Sequence, residues 1–106
     1  NHIEMFIYNT TFLVTDRRFN PWFKWLKEEH IPNMLNSGYF LKPQIAKVLT
    51  AESDQEGMSV SVQFIVNDLE NLQNWIDNNE IRLQNDLSLR FGAEVLSFST
   101  ILELMD

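Results

Sequence analysis

One short segment gathers most of the side chains in this chain that could do chemistry. Asn20-Pro21-Trp22-Phe23-Lys24-Trp25-Leu26-Lys27-Glu28-Glu29-His30-Ile31-Pro32 holds two of the three tryptophans and one of the two histidines. At about 100° per residue, Trp22, Phe23, Leu26, His30 and Met34 share one helical face. Trp25 and Glu29 fall at its edge, and Lys24, Lys27 and Glu28 fall outside. His30 therefore looks toward whatever the helix packs on. General burial habits favour a core histidine bonded to a backbone carbonyl. The functional alternative is a general base or ligand-orienting group in a pocket, with its pKa lowered by apolar surroundings. Trp22, Trp25 and Trp75 either line a cleft for a flat apolar ligand or plug the core and cover helix edges. Asn9 and Thr11 share one face of an otherwise apolar first strand. There they orient a ligand between sheet and helices, or simply pair with strand neighbours. A cavity of roughly 300 Å³ or more beside His30 would favour a ligand over a filled core.

Other chemistries are poorly supplied. One histidine without a second ligand makes no metal site, and His2 lies in the N-terminal stretch before Met5. Asp77 and Glu80 lack metal-loop spacing and a turn glycine. No Gly-rich phosphate loop, G-x-S-x-G or Ser-His-Asp pattern is present. No cofactor is expected. With no cysteine there is neither thiolate chemistry nor a disulfide. Arg82 and Asp86 read as a solvated i, i+4 ion pair. Asn9-Thr10-Thr11 matches the glycosylation sequon, and without a secretion signal it reads as coincidence. Eight basic and fifteen acidic residues leave a net charge of −7, which repels phosphate backbones and anionic membrane surfaces. No apolar run approaches the roughly 20 residues of a membrane span. Met5 opens directly into a strand-like segment, so a cytoplasmic location is expected.

The elements that position these residues follow from periodicity and punctuation. Residues 5–14 are rich in aromatic and β-branched types and read as a strand. Asn20 as N-cap and Pro21 at the first helical position start a helix. Pro32 should kink or restart it, and Asn36-Ser37-Gly38 should stop it. Residues 44–51 read as a second strand after a connection over 39–43, and 52–57 read as a hairpin loop. Residues 58–66 alternate with period two and form a third strand. Asn67 and Asp68 are N-cap candidates for a long helix, with Glu70 completing a capping box on Asn67. Asn78-Asn79-Glu80 marks a bend, Gly92 a stop, and 93–104 a last strand. Residues 5–106 thus make one domain, with 1–4 as an extension or an added remnant. The order β-α-β-β-α-β gives an α+β, ferredoxin-like fold: a four-stranded antiparallel sheet with two helices on one face.

The helices cover one sheet face only. The other face is expected to carry Ser59, Ser61, Gln63, Ser97 and Ser99 among Ile65, Val95 and Ile101. A solvated face would carry Lys and Glu, so this one reads as the contact of a homodimer.

Three motifs also carry a resemblance. Met5-Phe6-Ile7-Tyr8-Asn9-Thr10-Thr11-Phe12, the Trp22-x-x-Trp25 helix running into Glu29-His30-Ile31-Pro32, and Arg90-Phe91-Gly92 occur in order. The chain resembles the bacterial domain of unknown function family 4286, to which no activity attaches. At superfamily level it looks like the dimeric α+β barrels, which include cofactor-free monooxygenases, small isomerases and haem-degrading enzymes. The haem-degrading pattern has a first-strand asparagine and helical tryptophan and histidine; Asn9 and Trp75 match the first two. The histidine position falls near Asn78, Asn79 and Asn85, so the iron ligand is missing and haem degradation is disfavoured. Three functions follow as expectations. One is a homodimer binding a small apolar or aromatic ligand through Asn9, Thr11, Trp22, Trp25 and Trp75. Another is a cofactor-free isomerase or monooxygenase with His30 as base. The last is a structural or interaction domain with every aromatic in the core.

Overall fold

A computed structural model describes residues 4–49 and 56–105. Four strands form one antiparallel sheet: β1 (Phe6–Val14), β2 (Leu41–Lys47), β3 (Met58–Val66) and β4 (Val95–Glu103), in the order β2-β3-β1-β4. Residues 50–55, which include the end of the expected second strand and most of the expected hairpin loop, lie outside the described residues. The helices are α1 (Phe19–Trp25), α2 (Ile31–Asn36) and α3 (Leu69–Phe91). The fold is α+β and ferredoxin-like, as the element order implies.

Alternation along β1 sends Phe6, Tyr8, Phe12 and Val14 under the helices, where they meet Val60, Val62, Phe64 and Val66 of β3. Trp22, Trp25, Leu26, Met34, Phe40, Leu72, Trp75, Leu87 and Phe91 close the core from above. Aromatic rings dominate it, mostly in edge-on contacts. Phe40 sits edge-on to Trp75 at 4.9 Å. It meets Phe64 in the same way at 5.5 Å. Tyr8 lies 5.8 Å from Trp75.

The first helical layer differs from the expected form. A 3₁₀ turn (Asp16–Arg18) leads into α1 at Phe19, so Asn20 lies inside the helix and makes no cap. Pro21 still falls in the first turn, where the missing amide has no intrahelical acceptor to serve. Pro32 lies in the first turn of α2, where the α-helical pattern resumes at Ile31, as a restart would place it. Its ring would crowd the Glu28 carbonyl of a regular helix. The chain instead widens the turn before it into a π-helical segment (Leu26–His30), with the Ile31 amide donating to the Leu26 carbonyl five residues back. Helical backbone therefore runs from Phe19 to Asn36 without a break.

In α3, Asp68 is the N-cap: its carboxylate accepts from the Asn71 amide at 3.0 Å, in place of the Asn67 box. α3 runs through the asparagines at 78 and 79 without a break. Their side-chain amides donate to the carbonyls of Asn74 and Trp75 one turn back. β2 begins earlier than expected, at Leu41. It absorbs Lys42-Pro43 in a bulge. Lys42 takes φ 51° there.

The phase of β4 is the largest correction. Pairing with β1 places Val95, Ser97, Ser99 and Ile101 on the helix side, and Leu96, Phe98, Thr100 and Leu102 on the open side. Hydrogen bonds explain the polar residues under the helices. Ser99 Oγ meets Thr10 Oγ1 at 2.9 Å, and Ser97 Oγ accepts from Gln84 Nε2 at 2.8 Å. The open face therefore carries Leu96 and Phe98, more than half exposed, with Leu13 and Leu102 beside them.

Candidate functional site

The helical layer splits open between its two halves. A cleft of about 470 Å³ lies between the π segment and α2 on one wall and α3 on the other. Trp25, His30, Met34, Trp75 and Leu83 form its apolar part, while Glu29, Asn33, Asn79, Arg82, Asp86 and Arg90 supply polar groups.

The π segment builds the floor. In an ordinary helix, residues five apart point about 140° away from one another. The five-residue hydrogen-bond return brings them onto one side. His30 accordingly stacks on Trp25, with ring centroids 4.9 Å apart and planes 19° apart, and meets Phe12 edge-on at 6.0 Å. Burial lowers the His30 pKa to about 4, so the ring is neutral at neutral pH. The carbonyl partner expected for a core histidine is absent among the described residues.

Charge at the rim is unevenly matched. Arg90 straddles two acids: Nη1 and Nη2 reach the Glu29 carboxylate at 3.2 and 3.1 Å, and Nε reaches Asp86 at 3.2 Å. Arg90 thereby ties the π segment to α3 across the end of the cleft. Asp86 belongs to this clamp, not to Arg82. Arg82 donates to the amide oxygen of Asn79 at 2.7 Å and has no carboxylate within ion-pair distance among the described residues.

The structure divides the residues singled out from sequence. Trp25, His30 and Trp75 meet in the cleft. Trp22 is fully buried elsewhere, 5.2 Å from Phe12 and 5.8 Å from Phe19, and lines no part of it. Asn9 and Thr11 lie on the open sheet face, because Tyr8 and Phe12 take the helix side. There Asn9 donates to Thr11 Oγ1 at 3.3 Å and accepts from Ser61 Oγ. They pair with strand neighbours and cannot reach a ligand held between sheet and helices. Sequence reasoning missed Arg82, Asn79 and Asn33; their spacing to Trp75 and His30 on two helices was the available signal. It also missed a small seam under α3. Tyr8, Thr10, Ser97, Ser99, Glu80 and Gln84 surround a void with room for one water at most. Burial raises the Tyr8 phenol above its ordinary pKa there.

No group of three or more metal-ligating side chains occurs among the described residues. Nor, among them, is any helix long and apolar enough to cross a membrane.

The family model described as Domain of unknown function (DUF4286) matches residues 5–105. The chain belongs to this family. No curated protein matches it in sequence. Solved structures similar to this family member share its fold at low identity. A protein described as of the ethyl tert-butyl ether d (EthD) family, from Bacillus halodurans, is 12% identical, covers 94% of this chain and 99% of its own, and has a TM-score of 0.66. A dimeric ferredoxin-like protein from an uncultured marine organism is 11% identical, with 97% and 96% covered and a TM-score of 0.64. A Bacillus cereus protein provisionally named an antibiotic biosynthesis monooxygenase is 16% identical, with 96% and 94% covered and a TM-score of 0.60.

Proposed function

We propose that this protein is a homodimer whose protomers each bind a small, flat, largely apolar molecule in the interhelical cleft. The observation that carries the binding reading is the cleft itself. Its volume of about 470 Å³ is within the usual range for ligand sites. A stacked Trp25–His30 pair and Trp75 present ring surface to it. A neutral imidazole adds a donor and an acceptor without the cost of burying charge.

The dimer reading rests on the open sheet face. Ile7, Asn9, Thr11 and Leu13 of β1, Ser59, Ser61, Gln63 and Ile65 of β3, and Leu96, Phe98, Thr100 and Leu102 of β4 carry no charge. The whole chain has a net charge of −7, so a surface of this size without a carboxylate is unusual for one left in water. A second copy suits it, because like-charged protomers meet there without repulsion. The neighbour described as dimeric is consistent with this.

The test has two parts. Native mass spectrometry of freshly purified protein should show a dimer and any retained small molecule together. Calorimetric titration with naphthalene-2-carboxamide should give saturable binding that Asn33→Phe, which fills the cleft from its exposed wall, abolishes. Binding unchanged by that substitution would locate the molecule elsewhere and refute the cleft reading.

A second reading, cofactor-free isomerase or monooxygenase, has His30 as its specific support, since a neutral imidazole at a pocket floor can accept a proton. Its pKa of about 4 makes it a weak base near neutral pH, so the geometry supports binding better than catalysis. Turnover of an enolisable or phenolic compound at equal rates by wild type and His30→Ala would remove that role.

A further inference from the structure

The charges around the cleft specify more than an apolar ligand. Resting on the binding reading above, we infer that the cleft takes an aromatic carboxylate, with Arg82 as the residue that holds the anion. Four charged side chains line the cleft: Glu29, Asp86, Arg82 and Arg90. Arg90 already consumes both acids. What remains is Arg82, a guanidinium whose hydrogen-bond partner is a neutral amide. In a chain with nearly two acids for every base, an arginine beside a cleft with no carboxylate partner among the described residues goes against the composition.

Placement agrees with that role. Trp75, Asn79, Arg82 and Asp86 follow one another at helical spacing along the face of α3 that lines the cleft. A ring laid against Trp75 and the Trp25–His30 stack leaves its carboxylate about two turns along, within reach of the Arg82 fork. Guanidinium matches a carboxylate with two parallel hydrogen bonds, which a neutral carboxamide cannot reproduce. Asn79 would keep the guanidinium oriented while a ligand occupies its free edge.

The experiment compares naphthalene-2-carboxylate with naphthalene-2-carboxamide, calorimetrically, in wild type and in Arg82→Gln. The carboxylate should bind wild type about tenfold more tightly, at the low end for a charge-assisted hydrogen bond because Arg82 is exposed. Arg82→Gln should erase that preference while its urea unfolding midpoint stays at the wild-type value, which shows that the variant folds. The preference should shrink in about 1 M salt. Equal binding of both compounds to wild type overturns the inference and leaves the cleft reading standing. A preference that survives Arg82→Gln overturns it as well, and points to Arg90 exchanging its acids for the ligand. If neither compound binds wild type, the binding reading fails and this inference fails with it.

Discussion

Acidification should weaken this protein through His30 before any carboxylate matters. The folded imidazole titrates at about 4, against roughly 6.5 in an unfolded chain. Because the folded value is the lower one, the unfolded state takes the proton first as pH falls. Stability is thus unaffected above about pH 6.5 and drops below it by up to about 1.4 kcal/mol per pH unit. Between pH 7.5 and 5 the loss comes to about 2 kcal/mol, and by pH 4 to about 3 kcal/mol. Glu29, Asp86, Arg82 and Arg90 face the same cleft, so the measurement is a comparison with His30→Gln, in which all four are retained. Urea unfolding at pH 7.5, 6 and 5 gives the free energy of each protein. The wild-type curve should fall by about 2 kcal/mol more than the variant curve. Parallel curves would show that the folded imidazole protonates freely, and the argument from burial would be refuted.

Three further outcomes follow from particular contacts. Gly57 has φ 92°, and a Cβ there would run into the Val14 carbonyl oxygen, so Gly57→Ala should cost about 2–3 kcal/mol in urea unfolding. Glu94 accepts from Arg17, Arg18 and Thr15, which lowers its pKa to about 2. Its folded pKa lies below the unfolded value near 4.5, so it stabilises above that pH and the gain disappears toward pH 2; the Tm gap between wild type and Glu94→Gln should close over the same window. Phe98→Glu and Leu96→Glu put charge on the open sheet face and should give a monomer by light scattering. A wild type that is itself monomeric at micromolar concentration refutes pairing through that face.

Sequence periodicity reached some elements closely and misread others for identifiable reasons. Residues 58–66 alternate with period two through Gln63, and β3 occupies the whole stretch. Asn78 and Asn79 look like helix breakers only until their amides bond back to the helix. In β4 the more apolar side, Leu96, Phe98 and Leu102, points away from the helices, and the serines point toward them. Amphipathicity predicts burial, and it assigns the wrong side when the apolar side is left open and polar residues below the helices find partners. The cleft was half legible. His30 is expected to face inward, but Trp25 falls at an edge when every residue is given about 100°. Pro32 was the visible sign that one turn would not obey that spacing.

That turn has a consequence for comparing sequences. A π turn is what a helix becomes when it holds one residue more than its hydrogen-bond ladder needs. Trp25 and His30 are five positions apart here and lie one above the other. In a regular helix the same stacking arises four positions apart, where side chains differ by about 40°. Trp-x-x-x-x-His with the extra residue and Trp-x-x-x-His without it therefore describe one and the same floor. A family member one residue shorter between these positions would lack nothing of the site, and an alignment that forbids a gap inside this helix would wrongly report its histidine as missing.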